Sequence, residues 1–328
     1  MIKGILKNCV RPLIPLVDFL LTPFIYLSGK LLYLIRKYGF SRFPHAKSVL
    51  LSIGVCPIID HYYEPLFHPR NLRYSLKDKR NLPGIDWNVD AQIALLKSFH
   101  YEEELLAIPL ESESENSMPT YYYNNHTYES GDGDFLYCMI RHFKPHHIIE
   151  VGSGFSTLAS IMAIEKNMQE DQDYHCLHEC IEPYENSWLE KVPAQIIRKK
   201  LEDVDPKIFG QLEENDMLII DSSHMIRPQG DVLLEYLEIL PSLPKGVLVH
   251  IHDIFSPKDY PDEWIKGVIY FWNEQYLLEA FLTNNSNYEI VAASNYLMHN
   301  HYDLISEKFP ILKLQPDREP GCFWIRKK

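Results

Sequence analysis

Ile148-Ile149-Glu150-Val151-Gly152-Ser153-Gly154-Phe155-Ser156-Thr157 reads as a buried strand, a glycine turn and the start of a helix. Three apolar residues surround a single acid, so the strand is expected to be buried on both faces. Gly152 and Gly154 permit a tight turn and close backbone approach. Ser156 or Thr157 can cap the helix that follows. Such a unit aims backbone N–H groups and a positive helix end at a ligand.

Downstream of this stretch the pattern is regular. Strands are expected at 176–181, 196–197, 217–220, 247–251, 288–292 and 322–325, with helices from 155 to about 166, from about 187, at 231–240 and at 264–282. The 231–240 helix shows an apolar stripe at Val232, Leu233, Tyr236, Leu237 and Leu240. Strands alternating with helices imply an α/β fold, doubly wound around a mainly parallel sheet. The last two strands, joined by a long excursion rather than a helix, suggest an antiparallel edge.

Upstream the chain is less regular. The expected organisation is a hydrophobic segment at 1–45, a cap region at 46–130 and the α/β domain at 131–328. Residues 48–56 read as a short strand or buried segment, 61–87 as ordered loop, 91–106 as one helix, and 111–120 as exposed loop. Residues 13–35 are apolar and flanked by Lys3, Lys7, Arg11, Arg36, Lys37 and Arg42. A run of this length is near the roughly 20 residues needed to span a bilayer, but Asp18, Lys30, Pro15 and Pro23 interrupt it. It suits a helix in the membrane interface, or one docked on its own domain or on a second copy in a homodimer.

A net charge of −13 speaks against a nucleic-acid binder. Cys9, Cys56, Cys138, Cys176, Cys180 and Cys322 form no CxxC pair, so reduced thiols in a cytoplasmic setting are expected, with membrane association, if any, through residues 12–37.

In such a sheet, ligands bind beyond the carboxyl ends of the strands. Those ends carry Glu150 and the glycine turn, Glu182, Glu202-Asp203, Asp221-Ser222-Ser223-His224, and His250-Ile251-His252-Asp253. Glu182 lies 28 residues after Gly154, where an acid can accept from both hydroxyls of a ribose. Glu150 beside the turn would repel a pyrophosphate and suit an amine-bearing ligand, which disfavours NAD. Thr157 also replaces the third glycine of the dinucleotide fingerprint.

The block from about 131 to 326 resembles a class I S-adenosylmethionine-dependent methyltransferase with a G-S-G-x-S-T loop and an I-D-S-S-H strand end. The residues that carry the resemblance are 150–157, Glu182-Pro183, Asp221-Ser222-Ser223-His224 and His252-Asp253. It implies a Rossmann-like seven-stranded sheet with an antiparallel last strand, here preceded by a helical and irregular N-terminal extension. It also implies that S-adenosyl-L-methionine is held by Glu150, Gly152, Ser153, Gly154, Ser156 and Thr157 at its methionine part, by Glu182 at its ribose and by the Asp203 region at its adenine, with Asp221 and Ser222 alongside.

Methylation of a hydroxyl needs a base, and His224 and His252 are the candidates, with Asp253 beside them. A divalent metal at Asp221, His252 and Asp253 is a second expectation. The imidazole leans away from magnesium toward manganese, iron, nickel or zinc. The loop 255–261 with Trp264, Trp272, Asn273 and Tyr276 is expected to wall the acceptor site, with Tyr121–Tyr123 as a lid. The expected function is O-methylation of a small-molecule or lipid-like acceptor. A metal-dependent oxidoreductase on the same fold, and a non-catalytic S-adenosylmethionine-binding scaffold at a membrane, are the alternatives.

Overall fold

The computed structural model describes residues 13–66, 68–112, 119–184 and 186–328. The chain divides into two compact units, residues 1–73 and 74–328. Residues 74–130 therefore belong to the unit that contains the sheet, and the division falls well before 131. Most of the expected 111–120 loop lies outside the described residues.

In the first unit, α1 spans Ile14–Tyr38 and ends at Gly39, whose φ of 107° turns the chain. Helix α2, Pro44–Ser52, stands where the sequence suggested a strand or buried segment; its side chains are mostly exposed. Pro44 pre-sets the first turn, and Gly54 at φ 76° stops the helix. Arg36 forks onto Glu64, at 2.6 and 2.7 Å, and ties the end of α1 to the following segment.

The second unit opens with α3, Val89–Ser98, and α4, Glu102–Leu106. The expected single helix is broken because Phe99 takes an extended conformation and turns its ring into the core, against Phe135 and Phe309. Helix α5, Asp132–Phe143, is buried almost throughout. Asp134 starts it by accepting from the Gly131 N–H and the Tyr123 hydroxyl. Burial lifts the Asp134 carboxyl to about 6, and those two bonds only partly oppose the lift.

The sheet follows: β1 His147–Val151, β2 Leu177–Ile181, β3 Gln195–Ile197, β4 Met217–Ile220, β5 Leu248–Ile251, β6 Tyr288–Ala293 and β7 Phe323–Lys327. Their order is β3-β2-β1-β4-β5-β7-β6. Strands β1 to β5 pair in parallel, and β7 runs antiparallel to both β5 and β6. The reversed strand is thus inserted between β5 and β6 rather than lying at the edge. The excursion before it is helical: α9 Ser294–Asn300, α10 Tyr302–Lys308 and α11 Ile311–Leu314. Leu297, Ile305, Phe309 and Leu312 pin these short helices to the core.

Helix α6, Phe155–Glu170, and α5 cover one face of the sheet. Helix α7, residues 231–242, and α8, Glu274–Leu282, cover the other. Three expected helices of this region changed. The middle of α7 is a π-turn, Glu235–Ile239, which adds a residue to the turn. Glu235 is thereby buried, and Leu237 is exposed instead of lying in the stripe. The expected 264–282 helix is interrupted: a wide turn, Glu263–Val268, ends at Ile269 in the left-handed region, and α8 begins only at Glu274. The expected helix from 187 is reduced to the turn Leu189–Lys191, with Pro193 close behind.

Register positions the functional edge. Val151 is level with Ile181 and Ile220, and Ile220 with Ile251. The next residues, Gly152, Glu182, Asp221 and His252, therefore line up along one carboxyl edge. Gly152 has φ 79°, and a Cβ there would overlap the Asp221 carbonyl oxygen. Gly152→Ala should destabilise the protein by at least ~2 kcal/mol. Gly210→Ala, where nothing lies within 4 Å, should change little, and urea melts of the two variants check this.

Candidate active site

The glycine loop rests on a buried charge pair. Glu150 is fully buried and both its oxygens are engaged by the protein. Oε1 accepts from the Ser156 hydroxyl at 2.6 Å and the Thr157 hydroxyl at 3.1 Å. Oε2 pairs with His178 Nε2 at 2.8 Å. Thr157 Oγ1 in turn accepts from the Gly154 N–H. This corrects the expectation that Glu150, Ser156 and Thr157 reach a ligand with their side chains. Their polar atoms brace the turn from beneath, and the preference for an amine over a pyrophosphate is not carried by the Glu150 charge. Burial opposes a charge on His178, but Cys180 and Glu150 outweigh it and hold the ring at about 10.

Ser153 Oγ is also buried, on the side of the Cys180 thiol. At Gly154 an added Cβ would meet only Asn186 Nδ2, at 3.6 Å. Glu182 joins the loop to β2: its carboxylate accepts from the Tyr184 N–H at 2.7 Å and the Ser153 N–H at 3.4 Å. Ser222 is turned the other way, its hydroxyl donating to Glu235. Asp203 is exposed on the turn after β3, and among the described residues its side chain bonds to neither the loop nor Glu182.

The ends of β4 and β5 bring a second group together. Asp221 Oδ1 lies 3.3 Å from His224 Nε2 and 3.3 Å from His252 Nδ1. Asp253 lies 3.5 Å from His224 Nε2 and 3.6 Å from His252 Nδ1. His224 and Asp253 both hold positive φ, 57° and 59°. Non-glycine residues in that region are uncommon and gather at functional sites. The three expected catalytic residues, His224, His252 and Asp253, thus meet around Asp221.

Sequence reasoning missed three partners. Glu274 is fully buried and holds His224 Nδ1 at 2.8 Å, with the Tyr236 hydroxyl on its other oxygen. Asp132 faces His252 Nε2 at 3.5 Å and is itself fixed by the Gly321 and Cys322 N–H groups. Tyr128 lies over His252, with ring centroids 4.7 Å apart, and its hydroxyl meets His250. Asp132 sits in the Gly131-Asp132-Gly133-Asp134 run, and its nearness to the site was invisible because Asp134 explains that run as a helix start. Glu274 opens the half of a helix that periodicity fused with 264–273.

Charge in this group is unbalanced. Burial disfavours charge on both histidines, yet Asp221 and Glu274 raise His224, and Asp253 and Asp221 raise His252. Burial would raise Asp221 too, but the two rings bring it well below the usual carboxylate range. Asp253 ends raised, with burial its main cause. Four carboxylates meet two imidazoles, so the group favours an added cation. The donor atoms of Asp221, His252 and Asp253 lie within 4.8 Å of one another. Contacts of 3.3 to 3.6 Å are long for charge-assisted hydrogen bonds. The two made by His252 Nδ1, to Asp221 at 3.3 Å and Asp253 at 3.6 Å, match the separation of roughly 3.3–3.6 Å between ligand atoms placed about 2.0–2.2 Å from one tetrahedral ion.

His250 is structural: it is fully buried, stacks on Trp324, and is lowered to about 3 by burial and the neighbouring His252. Trp272 lies 4.4 Å from His224, stacked on Tyr270 and edge-on to Trp264. Asn273 accepts from the Ile226 N–H, and Tyr276 donates to Asp259. Tyr121 and Tyr123 are core residues and form no lid. Tyr122 packs on Phe155 at the glycine loop.

Residues 149–254 match a family model described as a methyltransferase domain. An uncharacterised protein of Archaeoglobus fulgidus is 30% identical over 166 residues, 47% of this chain and 73% of that protein. Residues 149–254 form a methyltransferase domain of the class I S-adenosylmethionine-dependent kind. Two solved methyltransferases are also similar. One is an O-methyltransferase of Streptomyces achromogenes in complex with S-adenosylmethionine, at 13% identity over 71% of this chain and 88% of that one, with a TM-score of 0.35. The other is from Bacillus cereus with S-adenosylhomocysteine, at 10% identity over 73% and 91%, with a TM-score of 0.36. At these scores the two likenesses carry no argument about the chemistry of this methyltransferase.

The brace under the loop of this methyltransferase predicts a pH dependence. A histidine raised in the folded state stabilises the fold fully below its ordinary value of 6.5. That contribution is lost as pH rises through about 10. The stability difference between the natural protein and His178→Gln should shrink from pH 6 to pH 10, as read by denaturant melts.

Proposed function

We propose that this methyltransferase transfers the methyl group to an oxygen of a small or lipid-like acceptor, with His224 as the base. The observation that carries this reading is the meeting of Asp221, His224, His252 and Asp253 at the ends of β4 and β5, level with the glycine turn. S-adenosylmethionine supplies an electrophilic methyl on a sulfonium. The loop 152–154 would hold its methionine part. Glu182 would hold the ribose and the Asp203 region the adenine.

Glu274 fixes the His224 ring through Nδ1, which leaves Nε2 on the side of Asp221 and Asp253. Asp221 and Glu274 favour the charged ring, so the base role needs the neutral form: with Nδ1–H held by Glu274, Nε2 would then take the proton of an acceptor hydroxyl as the oxygen attacks. Trp272 beside the ring would exclude water and favour a flat or apolar acceptor.

Asp221, His252 and Asp253 would hold a divalent metal, which would supply positive charge next to the acceptor oxygen. A ligating histidine commonly donates its other ring N–H to a carboxylate, and Asp132 stands at that position on His252. With one imidazole among the donors, manganese, iron or zinc suits the set better than magnesium. The free cysteines among the described residues suit a cytoplasmic setting.

Calorimetric titration with S-adenosylmethionine tests the cofactor; absence of binding would sink the reading. His224→Gln and Glu274→Gln should each lower kcat by about 10²-fold or more while leaving S-adenosylmethionine affinity within a few fold. The readout is S-adenosylhomocysteine release across a panel of phenols, alcohols and lipid hydroxyls. Metal content by mass spectrometry after dialysis against manganese or zinc should fall in Asp221→Asn. Asp132→Asn should weaken metal affinity about 10–100-fold.

A further inference from the structure

Helix α1 is long enough, at about 37 Å, to cross the roughly 30 Å hydrocarbon core of a bilayer. Length and composition therefore do not decide between spanning and lying flat. The distribution around the helix does. Asp18, Thr22, Tyr26, Lys30, Tyr33 and Lys37 recur at spacings of four or three and fall on one stripe, broken by one exposed apolar residue, Phe19. Leu16, Leu20, Phe24, Leu27, Leu31 and Leu34 fall on the opposite one, and all six are exposed. On the polar stripe, Lys30 lies over the Tyr26 ring at 5.4 Å and Lys37 over Tyr33 at 5.8 Å. Each pair places an aromatic ring and a cation at the border of the apolar face, where an interfacial helix meets headgroups.

Charge along the chain points the same way. Residues 1–47 carry eight Lys or Arg and one acid, Asp18. The whole chain is −13, so residues 48–328 carry −20. A basic, amphipathic end on an otherwise acidic protein is complementary to an anionic surface, and the rest of the chain is repelled by it.

We infer that α1 is an in-plane anchor: it lies flat in an anionic lipid leaflet, with Leu20, Phe24 and Leu27 in the acyl region and Thr22 and Lys30 facing water. The inference stands apart from the methyl-transfer reading, because it uses only residues of the first unit.

The test uses the full chain, floated with vesicles of phosphatidylcholine alone or with about 30% phosphatidylglycerol added. Thr22→Cys is probed with a membrane-impermeant maleimide, and the label is read by peptide mass. Three results are expected together. Flotation is at least ~10-fold stronger on the anionic vesicles, it is lost at high salt and in Leu20→Glu/Leu27→Glu, and the introduced thiol is labelled while the protein is bound. S-adenosylmethionine binding by the double variant, equal to that of the natural protein, would show that the remainder is folded. Protection of the introduced thiol, with retention in membranes after alkaline carbonate, would mean a spanning helix and overturn the inference. A soluble dimer that ignores vesicles, and that Leu20→Glu/Leu27→Glu splits, would make a second copy the occupant and overturn it as well. Equal flotation on both vesicle types would overturn the assignment to an anionic leaflet.

Discussion

The contact between Gly152 and the backbone of Asp221 governs the geometry of the second unit. A hydrogen atom, and nothing larger, fits between the turn after β1 and the carbonyl at the end of β4. That approach sets the glycine loop against the strand end from which Asp221, Ser222, Ser223 and His224 emerge. Backbone bonds reinforce it from both sides: the Gly152 N–H donates to Ile181 and the Asp221 N–H to Val151. The cofactor loop and the chemical group are therefore neighbours by construction. Beneath them the Glu150–His178 pair, fully out of water, locks the loop to β2. A buried pair of this kind costs more to break than it contributes when intact, so its effect is to hold one loop conformation rather than to add much stability.

Beyond the loop, the site works as an electrostatic object. Its carboxylates outnumber its imidazoles, and an acid lies within 3.5 Å of every ring nitrogen. In a low-dielectric setting such an excess attracts a compensating cation. His224 and His252 are differentiated by their second contacts. His224 is backed by Glu274 from α8, and His252 by Asp132 from α5. One sits by the aromatic cluster around Trp272, the other under Tyr128.

Much of this was legible in the residues. The parallel core followed from apolar runs at 148–151, 217–220 and 247–251, which are too short for helices and end in polar clusters. The convergence of Asp221, His224, His252 and Asp253 followed from the rule that strand ends share an edge. What stayed hidden has physical causes. Glu150 looked like a ligand-facing acid because its partner, His178, is brought alongside only by β1–β2 pairing. The break at 269–273 was masked because Trp264 to Leu282 is apolar enough to read as one helix. The π-turn was masked because a single added residue leaves composition unchanged while rotating Glu235 inward and Leu237 outward. The place of β7 between β5 and β6 depends on chain reversal, about which local periodicity says nothing.

The interrupted segment before α8 has one more consequence. The Asn273 and Glu274 N–H groups both approach the His224 carbonyl, at 3.0 and 3.3 Å, and the Glu274 side chain holds its ring. Trp272 and Tyr270, the aromatic shelf beside the ring, belong to the same few residues. Shelf and histidine are thus parts of one mechanical piece. If His224 is the base proposed above, a change in the shelf that admitted a new acceptor would also tilt the ring, and selectivity and turnover would move together. Phe255, Tyr260 and Trp264 extend the same piece, since Tyr260 and Trp264 both pack on Trp272.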